Sequence, residues 1–161
     1  MLAALLLLRS PESSVDRLLL LLQTRLTIAT EVAMAKHNSG AAVEDLPREE
    51  AVLKAVEKEA PERGVRPEDA RRLFSAQIES SKAAQRRMLQ GWQGLSRFAT
   101  APDLSKDVRP RLDALTPAIL EAYAEAKPHL SYVPGRASLI DKFAPTFQNE
   151  WRISIAPLNQ S

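Results

Sequence analysis

Apolar residues recur at helical spacing along most of this chain. Leu18, Leu21, Leu22, Leu26, Ala29 and Val32 form one stripe, as on the buried face of a helix. The pattern predicts a long first helix over residues 13–37. Ser13 or Ser14 can cap it and Asp16 sits in its first turn. Asn38, Ser39 and Gly40 stop it. Residues 38–46 form a loop. Pro47 suits a first helical position, and a second helix continues to Ala60 with Val52, Leu53 and Val56 inward. Pro61 and Gly64 break it. Pro67 opens a third helix, expected to run to Phe98. Its apolar contacts are Leu73, Ile78, Met88, Leu89 and Trp92, and Gly91 and Gly94 weaken its end. After a linker at 99–104, a fourth helix covers 105–127. Pro110 fits its first turns, Pro117 should kink or divide it, and Pro128 closes it. Pro134 and Gly135 read as a turn, residues 137–149 as a short last helix, and 151–161 as a tail. Helices joined by short loops, with no convincing strand, predict an all-α multi-helix bundle with long first and third helices.

The chain has 161 residues, 45% of them hydrophobic. This is enough for one domain with a real core, assigned to residues 13–150. The net charge is +2 and spread along the chain. Neither a basic patch nor a nucleic-acid motif is present, so no nucleic-acid partner is expected. There is no cysteine and only His37 and His129 as histidines. Thiolate sites and disulfides are excluded, and no metal is expected. The apolar start, Met1 to Leu8, is too short to span a membrane. Residues 1–12 read either as the residue of an export signal or as an extension of the first helix. The run Leu18 to Leu22 lies between Arg17 and Arg25, which makes it helix core and not membrane.

Eleven residues, about three turns, separate Arg25 from Lys36 on the apolar face of the first helix. A long cation there has two readings. It snorkels to solvent, or it points into a polar cavity where it needs an anion. Asp45, Arg48 and Glu49 sit where the loop enters the second helix, either as capping chemistry or as contacts for a carboxylate and a hydroxyl. Ser81 and Gln85 lie four apart on the third helix, with Gln77 one turn earlier. There is no nucleophile–base pair, glycine-rich phosphate loop or dinucleotide fingerprint.

In this order and spacing, these residues resemble the helical (AroQ) class of chorismate mutases. The series runs through Leu21, Leu22, Arg25, Ala29, Val32 and Lys36. It continues with Val43, Glu44, Asp45, Arg48, Glu49 and Leu53, then Pro67, Leu73, Phe74, Gln77, Ile78, Ser81 and Gln85. LFSAQIESSKAAQ (residues 73–85) with Trp92, and Asn38-Ser39-Gly40 before Val43-Glu44-Asp45, are similar to the exported gamma subclass. The resemblance covers residues 14–98. In that subclass each chain completes its own site with an arginine from a later helix. Here the segment DLSKDVRPRLDAL (residues 103–115) offers Arg109, with Arg111 as the competing neighbour. Arg9 is a poorer candidate. The chain departs from the subclass in three ways. His37 stands where a tryptophan is usual and is read as a helix-end cap, there is no late disulfide, and the leader is short.

The resemblance implies the pericyclic rearrangement of chorismate to prephenate, without cofactor or covalent intermediate. Its implied catalytic residues are Lys36, Gln85, Arg25, Arg109 and Glu49. Arg48, Asp45 and Ser81 are implied in substrate binding. Arg25 and Arg109 would clamp the two carboxylates, Lys36 and Gln85 would donate to the ether oxygen, and Glu49 would accept the ring hydroxyl. It also implies a homodimer and a periplasmic or secreted location, with the cytoplasm left open by the short leader. Two other readings stand beside it. One is an isochorismate-pyruvate lyase of the same fold; the other is a non-catalytic helical binding module.

Overall fold

A computed structural model describes residues 10–141 and 145–159. The apolar start up to Arg9, on which the export-signal reading chiefly rests, lies outside the described residues. Helix α1 (Pro11–Thr27) begins slightly before the expected position. Ser10 is its cap, its hydroxyl accepting from the Ser13 N–H at 3.2 Å, and Pro11 takes the first helical place. The leucine run then splits by angle. Leu18, Leu19, Leu22 and Leu26 are buried, and Leu20 is exposed. By hydropathy alone the stretch Pro11–Ser39 could cross a membrane, but these leucines belong to the core of the bundle.

The helical pattern slips once, at Ile28, and resumes as α2 (Ala29–Ser39). Just before the slip, the Thr24 and Thr27 hydroxyls donate to the carbonyls of Leu20 and Thr24, a back-bonding that disturbs a helix locally. Gly40, at φ 72°, ends α2 in the left-handed region and donates its N–H to the Lys36 carbonyl, a conformation that favours glycine. Helix α3 (Leu46–Glu59) is capped reciprocally. Asp45 Oδ1 accepts from the Arg48 N–H, and Glu49 Oε1 accepts from the Asp45 N–H, both at 3.2 Å.

Helix α4 (Pro67–Gly91) is shorter than expected. Gly91 and Trp92 end it, Gly94 turns the chain at φ 80°, and residues 95–98 return against α2. Asn38 holds them there from both sides, its amide donating to the Phe98 carbonyl at 2.7 Å and accepting from the Phe98 N–H at 2.8 Å. His37 does not cap α2 as expected. Its ring packs against Trp92 and Phe98, centroids 6.0 and 5.2 Å away.

A wide turn, Leu104–Val108, leads into α5 (Arg109–Ala126). Asp103 Oδ1 accepts from the N–H groups of Ser105 and Lys106 at 2.9 and 2.7 Å. Val108 is fully buried with Ile28 and Val32, which seats this turn on α2. Pro117 does not divide α5. The carbonyl it deprives of a donor is that of Asp113, an exposed residue, where water can serve instead.

The C-terminal part departs most from expectation. Pro134 and Gly135 form no separate turn but lie in the first turn of α6 (Val133–Asp141), and residues 151–159 are not a tail. Helix α7 (Gln148–Ile155) packs against α4 and buries Trp151, Ser154 and Ile155, with Leu158 following. Gln77 of α4 is consumed in this joint. Its amide donates to the Ser154 carbonyl at 2.8 Å and accepts from the Ser154 hydroxyl at 2.5 Å. Arg87 joins Glu150 at 2.7 Å nearby. Elsewhere α1 packs mainly on α5, and α4 on α2 and α3. The described residues thus form an all-α bundle with a cleft between α2, α3, α4 and the start of α5.

Truncating Trp151 to alanine should cost about 3–5 kcal/mol of stability, the range for a buried aromatic. Urea denaturation measures it; an unchanged midpoint would show that α7 adds nothing to the core.

Candidate active site

The cleft encloses about 740 Å³ of empty space, mouth included. Arg25, Lys36, Asp45, Arg48, Glu49, Ser81, Gln85 and Arg109 all line it, with Val32, Val52, Ile78 and Leu112 among its apolar walls. Four segments deliver these residues. Arg25, Val32 and Lys36 follow one another along the inner face of α1 and α2. Asp45, Arg48 and Glu49 come from the start of α3, Ser81 and Gln85 from mid-α4, and Arg109 from the first residue of α5. Gln77 is not among them, since the α4–α7 joint has taken it. Arg111 also lies elsewhere, bonded to Glu31 at 2.6 and 2.9 Å.

Arg25 is 8% exposed, and its Nε has no hydrogen-bond partner among the described residues. Its guanidinium carbon lies 5.9 Å from the centre of the Phe74 ring, close enough for a cation–π contact. Burial pulls its pKa down to about 10, against the opposing pull of Asp113. A shift of that size means roughly 3 kcal/mol acting against the ion at neutral pH. Such a site gains from an anion.

Lys36 is equally buried and donates to the Val43 carbonyl at 2.8 Å. Burial, helped by Arg109, lowers its pKa from the ordinary lysine value, while Asp45, Glu49 and Glu44 pull the other way. Gln85 donates from Nε2 to the Ser81 hydroxyl at 3.0 Å, and its Oε1 is buried without a partner among the described residues. The cations nearer the mouth are already matched. Arg48 holds Asp113 at 2.8 and 3.2 Å. Arg109 holds Asp45 at 3.2 Å and lies 3.4 Å from the Ser105 hydroxyl.

Among the described residues the cleft therefore combines two inner cations without a carboxylate partner, an amide with spare capacity, and apolar walls. This suits a compact organic dianion with an apolar body. Comparison with known proteins points to the same class. The family model described as chorismate mutase type II matches residues 14–86. The crystal structure of a chorismate mutase from Burkholderia thailandensis has a TM-score of 0.85 at 28% identity, covering 91% of this chain and 99% of that one. One from Burkholderia phymatum has a TM-score of 0.85 at 25% identity, covering 93% and 98%. A secreted chorismate mutase of Mycolicibacterium smegmatis (strain ATCC 700084 / mc(2)155) is 30% identical over 108 residues.

In sequence and in fold the chain resembles the helical chorismate mutases. It spans 66% of its own length, and 59% of the relative's, in the match to the secreted protein.

Three other polar residues lining the cleft escaped the sequence reading: Lys82, Asp113 and Thr116. Lys82 follows Glu79 by three positions, which resembles an ordinary surface pair on a helix. Asp113 lies one turn beyond Arg109, and that i, i+4 relation was the available signal. Thr116 carried none.

Replacing Arg25 by methionine removes a buried unpartnered charge while keeping much of its volume. The ligand-free variant should melt at least as high as the parent, a gain of about 1–3 kcal/mol, and lose its affinity for organic dianions. A melting temperature several degrees lower would instead show that the guanidinium holds the bundle together.

Proposed function

We propose that this protein catalyses the rearrangement of chorismate to prephenate. The observation that carries the reading is the buried guanidinium of Arg25, unpartnered at Nε, in the same cleft as Lys36, Gln85, Glu49 and Arg109. In the concerted step the ether C–O bond breaks as the new C–C bond forms. No external acid, base or nucleophile is consumed. The protein's task is to hold the compact conformer and to stabilise negative charge on the ether oxygen.

Arg25 and Arg109 take the two carboxylates of the substrate. Arg109 exchanges Asp45 for one of them. Lys36 and Gln85 donate to the ether oxygen, and each has donors to spare. An ammonium carries three N–H bonds and an amide nitrogen two. Lys36 spends one on Val43, and Gln85 one on Ser81. Glu49 accepts the ring hydroxyl. Arg48 and Ser81 orient the substrate, and Asp45 orders the entrance of α3 through its cap. The cleft draws every one of these groups from a single chain, so a homodimer, the assembly expected from the family, is not needed to complete it. Likeness to the secreted relative favours export for this chain as well.

The decisive assay follows chorismate absorbance on adding pure protein, with prephenate identified as product. Lys36→Ala should lower kcat/KM by about 100-fold to 1,000-fold, the loss expected for a donor aimed at developing charge, with the fold intact by circular dichroism. Pyruvate released from isochorismate, with chorismate untouched, would make the protein a lyase; silence on both would leave a binding module.

The pH profile gives a second check. Gln85 donates without a titratable proton, so kcat/KM should stay level between mildly acidic and neutral pH. Lys36 must be protonated to donate, and its pKa lies below that of an ordinary lysine. As pH rises, activity should therefore fall earlier than an unperturbed lysine would dictate. A steep fall as pH rises from mildly acidic to neutral, with the protein folded, would contradict the role given to Gln85.

A further inference from the structure

Lys82 is 6% exposed and lies in the wall of the cleft beside Ser81. Its ammonium meets Glu79 at 2.8 Å and Glu44 and Glu49 at 3.1 Å each. An ammonium has three protons; Lys82 hydrogen-bonds Glu44 and Glu49 and forms a close ion pair with Glu79. Lys82 is thus committed to carboxylates, although it borders the cleft. Burial alone would lower its pKa, but the bonds to Glu79, Glu44 and Glu49 outweigh that and raise it above the ordinary lysine value. It is a permanent cation.

Glu49 is held at both ends by this arrangement. Oε2 accepts from Lys82 at 3.1 Å and Oε1 accepts from the Asp45 N–H at 3.2 Å. A carboxylate offers about four lone-pair sites, so two remain for a hydroxyl on the cleft side. Without Lys82, the carboxylates of Glu44, Glu49 and Glu79 would face one another with no cation between them. Arg86, which pairs with Glu44, would draw Glu44 outward, and Glu49 would keep only its bond to the α3 cap.

We propose that Lys82 is a positioning residue, fixing the Glu49 carboxylate in the orientation that receives the ring hydroxyl of the substrate. This rests on the mutase reading above. Lys82 acts through Glu49 and does not touch the substrate.

The test is a double-mutant cycle on purified full-length protein, following chorismate loss. Lys82→Met should lower kcat/KM by roughly tenfold to a hundredfold, the range for a hydrogen bond to a charged group. The loss should fall mainly on KM, because the hydroxyl contact exists before the transition state as well as in it. In a Glu49→Gln background the same change should cost less than about twofold, since there is no carboxylate left to position. Lys82→Arg should restore part of the loss in the parent background, and it carries the cycle if Lys82→Met does not fold. Equal losses in both backgrounds, or a lower melting temperature with unchanged kinetics, would overturn the role given to Lys82 and leave the mutase reading standing. A parent protein silent on chorismate would overturn both.

Discussion

The burial of Arg25 sets the terms for the rest of the cleft. A guanidinium in a leucine-rich helix face is costly unless something answers its charge. Here the structure answers only in part, with the ring of Phe74 beneath it and Asp113 near enough to exert a pull. The helices around it are arranged to tolerate that cost. Leu22, three positions before Arg25, and Leu26, next after it, pack into the main core, while Ile28 and Val32 form a second apolar cluster with Val108. The charge therefore lies at the seam between two well-packed regions. Binding energy can be stored at such a seam, because an arriving anion relieves a cost already present in the free protein.

The second cluster has a further consequence. Val108 anchors the turn before α5, and Arg109 is the next residue. A hydrophobic contact thereby sets where a cation enters the cleft. Ion pairs refine the placement, with Asp45 holding Arg109 and Asp113 holding Arg48. These pairs are partly exposed, so they exchange partners at little cost. Inner cations left unanswered and outer cations matched loosely form a gradient of unmet charge, and a dianion would be drawn inward along it.

Much of this was legible in the sequence, for reasons of helical geometry. Eleven residues advance a helix about 20° beyond three full turns, so Arg25 and Lys36 had to share a face. Ser81 and Gln85 are about 40° apart and remain together. Gln77 and Gln85 are about 80° apart, and this drift carries Gln77 out of the cleft to meet Ser154. The same angular argument, applied to the whole stripe, would have separated it. Caps were legible too, because Asp45 and Gly40 act through local bonds. Long-range burial was not. Nothing near Trp151 in the sequence says that α4 offers a surface for it, so 151–159 read as a tail. Lys82 was hidden for the same reason. Its neighbour Glu79 is local, but Glu49 arrives from α3 and Glu44 from the loop before it.

That dependence on α3 also explains why Asp45 and Glu49 need not be assigned either to capping or to chemistry. Glu49 Oε1 caps the Asp45 N–H, while Oε2 meets Lys82. Asp45 Oδ1 caps the Arg48 N–H, while Oδ2 meets Arg109. Each carboxylate gives one oxygen to the helix start and the other to a cation in the cleft wall. The cap fixes the backbone position of both residues, and the cation then fixes the carboxylate plane. A side chain with only the cap bond could still rotate about it, and one with only the ion pair could follow its partner. Held at both oxygens, Glu49 keeps a defined direction toward the cleft, and preorganisation of this kind is what a concerted reaction without an acid or base requires of its protein.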